Sequence, residues 1–256
     1  MEPLGAGVAS AMATASGTLC YFYLGIRYAR DAGFLKGVPD RNTLLTTLRL
    51  SVPAGIQQLF FAAGMTVFMA IVAKIGTHEL AATKVVIDLL LVGILPGLGF
   101  GLAAATLVGQ ALGRGDADDA RQWGWDVAKI AVLIVAIVGV PAWAFPEQIL
   151  GIFLHNPQTL ALATPPLQLV GVMLGFDAIG MVLMNALMGA GATRRVMVVA
   201  TALQWGLFLP AAYLVGPVAG LGITAVFACQ VLYRGLQSAI FARIWQGRSW
   251  ESIKVG

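Results

Sequence analysis

The chain has 256 residues, a net charge of +4, 59% hydrophobic residues and only 11% charged ones, with a mean hydropathy of +0.84. Soluble domains carry about 25% charged residues, so the composition excludes a soluble globular domain and indicates an all-α polytopic membrane protein. The basic residues fall mostly at the ends of apolar runs, which topology explains without nucleic acid, and Cys20 and Cys229 offer neither a disulfide framework nor a metal site.

Seven apolar runs are long enough to cross about 30 Å of hydrocarbon. They lie at roughly 4–26, 50–73, 83–109, 127–145, 166–189, 196–215 and 218–242. No basic n-region precedes the first, so no cleavable signal peptide is expected. That run begins Gly5-Ala6-Gly7-Val8-Ala9 after Pro3. The seventh begins Gly220-Leu221-Gly222-Ile223-Thr224 after Pro217. Taken as a repeat, the match makes the last six runs one six-helix unit and the first run the closing helix of a preceding unit. Repeat halves of this kind are common in secondary transporters.

The second run carries Pro53, Gln57 and Gln58. In the third, Gly93, Gly97, Gly101, Ala105, Gly109 and Gly113 recur every fourth residue. On a helix that spacing makes one smooth ridge, against which a neighbouring membrane helix packs closely. Pro96 is expected to kink this helix rather than end it. A charged loop, Arg114 to Arg121, leads to the fourth run, and residues 146–153 read as a short amphipathic helix in the interface. Asp177 sits at the middle of the fifth run, Gln204 and Trp205 in the sixth, and Gln230 and Arg234 in the seventh. Gly216-Pro217 is expected to separate the last two runs.

Arginine and lysine set the expected orientation. Arg27, Arg30, Lys36, Arg41 and Arg49 fall between the first two runs; Arg114, Arg121 and Lys129 follow the third. Arg194 and Arg195 follow the fifth, and Arg243, Arg248 and Lys254 the seventh. The alternate loops and flanks hold only Lys74 and Lys84, so the count is thirteen against two. The positive-inside rule then puts the N-terminus outside and the C-terminus in the cytoplasm of a cell (inner) membrane protein. Trp123, Trp125, Trp245 and Trp250 mark the inner interface and Trp143 the outer one.

A carboxylate at the bilayer centre costs roughly 2.5–3.5 kcal/mol on insertion scales, so Asp177 demands a role. With the carbonyl-bearing Gln57, Gln58, Gln204 and Gln230 it could hold Na⁺, or take a proton if desolvation raises its pKa. The alternative is a structural pair with Arg234. Asp88 is either the partner of Lys84 four residues earlier or a cleft-facing substrate contact. The glutamines serve either that site or interhelical hydrogen bonding. Trp205, Phe60, Phe61 and Met181 could line a cleft or fill the packing. An enzyme is not expected: His78 and His155 lie outside the runs, Gly97-Leu98-Gly99-Phe100-Gly101 follows no strand, and no Gly-Lys-Ser/Thr phosphate loop exists.

Several stretches together resemble the C-terminal lobe of the multidrug and toxic compound extrusion (MATE) transporters. They are Pro53 with Gln57-Gln58; Ile75-Gly76-Thr77 through Ala82; Pro96-Gly97-Leu98-Gly99-Phe100-Gly101 with Leu107 through Gly113, Asp116 and Ala120-Arg121; Pro146 through Phe153; Gly189-Ala190-Gly191; and Trp250 with Lys254-Val255. The resemblance covers nearly the whole chain. It implies seven transmembrane helices: residues 1–30 as the last helix of a missing N-terminal lobe, 31–49 as a cytoplasmic linker, 50–245 as the six-helix lobe and 246–256 as a tail. It further implies an antiporter that uses Na⁺ or H⁺ as coupling ion, needs no cofactor, and exports organic, cationic compounds by alternating access.

Asp177 resembles the cation-site aspartate of one branch, with Gln57, Gln58, Asp88, Gln204, Gln230 and Arg234 as further coupling or substrate positions. Two departures stand out. Ala192 occupies the place of an aspartate in a Gly-Ala-Gly-Asp-Thr turn, and Phe61 that of a glutamate used for coupling in one branch. The expected partners are a small organic substrate, the bilayer, and either the missing lobe of a truncated chain or a second copy of a half-transporter. Alternatives are a lipid-linked sugar flippase of the same superfamily, which should show more cavity arginines, or a seven-helix receptor. A retinal pump would need a lysine that the seventh run lacks.

Overall fold

Caps fix where these helices begin, whereas apolar composition marks only the part that faces lipid or core, so helix and span boundaries differ in a regular way. A computed structural model describes residues 2–28 and 40–251; Arg30, Lys36, Lys254 and Val255 lie outside the described residues. The chain divides into two units, Met1–Thr47 and Leu48–Gly256. In the first, α1 (Glu2–Tyr28) is one 27-residue helix, about 40 Å long at 1.5 Å per residue, a membrane-spanning length, although it falls outside the six helices that are also apolar enough. The remaining elements are α2 (Arg41–Ala73), α3 (Thr77–Gly113), α4 (Ala117–Ala144), the short α5 (Pro146–Gly151), α6 (Pro157–Gly189), α7 (Thr193–Val218) and α8 (Gly222–Gln246). Six of these are long and apolar enough to cross a membrane, and no strand occurs among the described residues. The protein is thus a multi-pass, all-α membrane protein.

The caps explain the extra length. Asn156 accepts from the backbone N–H groups of Gln158 and Thr159, with Pro157 at the first helical position, and starts α6 nine residues before its apolar run. Asp116 likewise accepts from the Asp119 N–H and starts α4 well before residue 127. The expected break at Gly216-Pro217 is corrected: α7 runs on to Val218. Prolines 210 and 217 supply no N–H, and the helix widens near each, with Leu209 N–H reaching the Gln204 carbonyl and Ala219 N–H that of Leu214. Both are i→i−5 bonds, the local form that keeps a helix running past a proline. The amphipathic stretch at 146–153 is helical over Pro146–Gly151.

The glycine ridge of α3 has its partner in α6, and the two run parallel. A Cβ at Gly93 would meet Leu174, one at Gly97 the Met181 sulfur at 3.2 Å, and one at Gly101 the Asn185 amide at 2.6 Å. Further along, a Cβ at Gly189 would stand 2.4 Å from the Ala105 carbonyl oxygen. Backbone therefore meets backbone at that crossing, as small residues allow in membranes. On its other side α6 meets α4 through Gly139 and Gly171, where a Cβ on Gly171 would lie 2.7 Å from the Gly139 oxygen. In its most apolar window α6 is 61% buried, against 22–33% for the other spans. It is the central post of the lobe.

The turns after α3 and α6 are copies of each other. In both, the chain returns through three residues with a left-handed glycine, Gly115 (φ 80°) or Gly191 (φ 82°). The backbone bonds also match: Asp116 N–H to Ala111 oxygen at 3.0 Å, Ala192 N–H to Leu187 oxygen at 2.9 Å. Asp116 caps α4 with its side chain, while Ala192 gives α7 no side-chain cap. The segment after α8 ties this end of the unit together. Trp245 and Trp250 stack with centroids 4.3 Å apart, and the Trp245 ring fills the space over Gly124. Trp245 Nε1 donates to the Arg121 carbonyl at 3.4 Å, and Arg195 Nη1 to Ser249 Oγ at 2.6 Å. Arg248 pairs with Asp118 and Glu251, and its hydrogen bonds to them push its pKa further up. The basic ends of α3/α4, α6/α7 and α8 thus gather at one end of the unit, as the charge pattern requires.

The α3–α6 crossing yields a test. Gly189→Ala forces a methyl against the backbone of Ala105 and is expected to destabilise by about 1–3 kcal/mol, as overpacking does. Gly99→Ala, where nothing lies within 4 Å, should leave stability unchanged or raise it. Thermal unfolding in detergent separates the two.

Candidate functional site

A cavity of about 220 Å³ opens among α2, α3, α6, α7 and α8. Asp177 in α6 and Arg234 in α8 are the charged members of its described lining, with Gln57 and Gln58 from α2, Gln204 and Thr201 from α7, and Tyr233, Gln237 and Ser238 from α8. Apolar walls come from Phe61, Leu91, Ile94, Leu98, Met181, Met184 and Phe241. Arg234 Nη2 contacts both carboxylate oxygens of Asp177, at 2.5 Å and 2.7 Å. Its Nη1 donates to Gln237 Oε1 at 3.1 Å, one turn further along α8. The two side chains are 15% and 6% exposed, so little water screens them.

Aromatic packing holds Arg234 in place. Tyr233 stacks on Phe208 of α7 at 5.1 Å, Phe208 packs on Phe68 of α2 at 5.4 Å, and Phe227 closes the cluster edge-on to Phe68 at 6.2 Å. The Arg234 guanidinium lies 6.0 Å from the Tyr233 ring centroid, within cation–π range. The widened stretch of α7 faces α2: Gln204 Nε2 donates to the Phe61 carbonyl at 3.3 Å and Trp205 Nε1 to that of Phe60 at 3.1 Å. A Cβ on Gly64 would collide with the Gln204 amide at 2.2 Å, so glycine is what lets that amide approach. Gln57 Nε2 reaches the Met184 sulfur at 3.9 Å. The Thr201 hydroxyl, buried in the lining, has no hydrogen-bond partner.

The structure therefore brings together Asp177, Arg234, Gln57, Gln58 and Gln204. It leaves two expected positions outside the lining. Asp88 pairs with Lys84 at 3.6 Å, both exposed, and Gln230 has a buried Oε1 without a partner, one turn before Arg234. Gln237, Ser238, Tyr233 and Thr201 were missed by sequence reasoning. The helical period was the usable signal for three of them, since 233, 234, 237, 238 and 241 share a face of α8. Among the described residues no three His, Cys, Asp or Glu side chains converge on a metal-sized site. Any Na⁺ here would depend on Asp177 with amide, hydroxyl and carbonyl oxygens. A second, small space of about 10 Å³ lies between α3, α4 and α6, lined by Gly93, Gly97, Val135, Leu174, Asp177 and Met181 among others, with Asp177 as its one polar side chain.

A family model described as MatE matches residues 53–214. The Thermotoga maritima "Probable multidrug resistance protein NorM" is 26% identical over 221 residues, covering 85% of this chain and 47% of the relative. The Burkholderia vietnamiensis "Multidrug resistance protein NorM" is 30% identical over 203 residues, covering 77% of this chain and 42% of the relative. Among solved structures, a crystal structure of MATE in the straight conformation superposes with a TM-score of 0.81 at 19% identity, over 91% of this chain and 53% of that one. An inward-facing MATE family transporter gives 0.70 at 19% identity, over 82% and 49%. The chain spans about half the length of the relatives it matches.

The α2–α7 contact can be tested directly. Gln204→Leu removes the amide that reaches the Phe61 carbonyl and is expected to cost about 0.6 kcal/mol, the average for such membrane hydrogen bonds. Hydrogen exchange read by mass spectrometry should quicken in α2 around Gly64 and stay unchanged in α4.

Proposed function

Because this chain belongs to the MatE family, we propose that it supplies the six-helix lobe of a cation-coupled antiporter that exports organic, cationic compounds by alternating access. In this reading residues 50–245 are the lobe, 1–30 the last helix of a second lobe, 31–49 the linker and 246–256 a tail, with the N-terminus outside. The transporter is completed by a preceding lobe or a second copy.

The observation that carries the reading is the cavity itself. It offers one carboxylate, neutralised by one guanidinium, amid amides and apolar side chains. Apolar and aromatic walls suit the body of an amphiphilic compound, and the few polar groups fix its orientation. Asp177 is the residue that responds to Na⁺ or H⁺, and the ion favours whichever state of the cavity binds it better. The lipid-linked sugar flippase alternative draws less support, since Arg234 is the one arginine of the described lining and is paired. The receptor alternative loses its footing with family membership.

Asp177→Asn keeps the shape and removes the charge. In the completed transporter it is expected to abolish cation-dependent efflux of a fluorescent organic cation from cells at unchanged membrane levels; unaltered coupling would sink the assignment.

A further inference from the structure

We propose that Arg234 is a tethered counter-cation: it occupies Asp177 in the unloaded cavity, and the coupling ion must displace it. The inference rests on the reading that Asp177 carries the coupling ion. Its own basis is the geometry around the guanidinium. One nitrogen, Nη2, lies against both carboxylate oxygens, at 2.5 Å and 2.7 Å, so the site that an ion would use is already filled by a positive group. The other, Nη1, is held by Gln237 Oε1 at 3.1 Å on the same helix. That second acceptor gives the guanidinium a place to stay when Asp177 is taken by another cation. A separate space of about 10 Å³ also touches Asp177, but its other lining residues, Gly93, Gly97 and Leu174 among them, are apolar or glycine, so an incoming ion has to meet the carboxylate from the polar cavity where Arg234 sits.

The charge balance then produces exchange. With Arg234 on Asp177 the described lining has a net charge of zero, since no other lining residue is charged. When Na⁺ or a proton takes the carboxylate, the freed guanidinium leaves the cavity positive. A cationic compound is then disfavoured, so ion and compound exclude each other without touching the same atoms. The arginine also lowers the apparent ion affinity by the factor with which it competes. A tenfold change corresponds to about 1.4 kcal/mol.

The test uses the full chain in detergent, with NaCl replacing choline chloride at constant ionic strength, and a parallel pH titration at fixed salt. Tyr233 is the other titratable group of the described lining, and α2, α3 and α7 add none to it. The readouts are the unfolding midpoint and tryptophan emission, to which Trp205 reports from α7. For Arg234→Gln the concentration of Na⁺ or protons giving half the response should fall at least tenfold. The midpoint without the ion should also fall, because a buried carboxylate loses its partner. Arg234→Lys, which keeps the charge, should shift the half-response less and serves if the glutamine variant does not fold. Adding Asp177→Asn to Arg234→Gln should remove the gain.

Unchanged or weaker ion affinity in Arg234→Gln and Arg234→Lys, with the wild-type response still lost in Asp177→Asn, overturns the tethered cation alone. An ion response that survives Asp177→Asn in every background, or is absent throughout, overturns the coupling role of Asp177 as well.

Discussion

The close passage of α3 along α6 is the constraint on which the rest of this lobe depends. Lipid tails are as apolar as leucine, so helices gain little from hiding apolar faces from one another, and contact must come from packing. Glycines 93, 97, 101 and 189 remove the side chains that would otherwise hold the two axes apart. That approach, with the Gly139–Gly171 crossing on the opposite side, buries α6 more completely than any other span. A central helix of this kind can carry a carboxylate that a lipid-facing helix could not. Two of the ridge glycines also line the small space that Asp177 touches, so the residues that bring the helices together border the helix turn that carries the charge.

Burial makes the pair with Arg234 obligatory. An isolated carboxylate at mid-membrane would cost roughly 2.5–3.5 kcal/mol on insertion scales, and the guanidinium offsets this with direct contacts to both oxygens. Such pairs are not strong sources of stability, because both groups lose their water. Their usefulness is that each partner is held in a defined place and is released only when something else satisfies the other. The stack of Tyr233 on Phe208 fixes the turn of α8 that carries Arg234, and Gln237 anchors its free nitrogen.

The sequence made the packing legible and the cavity only partly so. A four-residue recurrence of glycine can be read because each residue in the row needs the same property, and α6 then appears as its partner once the helices are placed. Asp177 and Arg234 could be read as a pair because charges within apolar runs are rare and need each other. Asp88 follows the same logic with Lys84 four residues earlier, and that pair is exposed and stands outside the cavity lining. Gln237 and Ser238 carry no charge and sit amid ordinary helix residues, so only the face they share with Arg234 marks them. Helix lengths were underestimated for a different reason. Asn156 and Asp116 start helices by capping chemistry, which an average of hydropathy does not register.

The paired turns after α3 and α6 show how tertiary contacts stand in for a missing local signal. The same backbone path occurs twice, yet Asp116 caps α4 while Ala192 leaves the start of α7 without a side-chain acceptor. A lost cap typically costs about 1 kcal/mol, which would loosen the first turn of the helix that carries Gln204 and Trp205. Arg195 in that turn is instead tied to Ser249 of the segment after α8, and the stacked Trp245 and Trp250 anchor that segment against α4. The start of α7 is therefore held from outside by the end of α8, the helix that also presents Arg234. The start of α4 meets the same segment through Trp245 and Arg248, but it carries its own side-chain cap as well, so only α7 relies on that junction for the hold a cap would give.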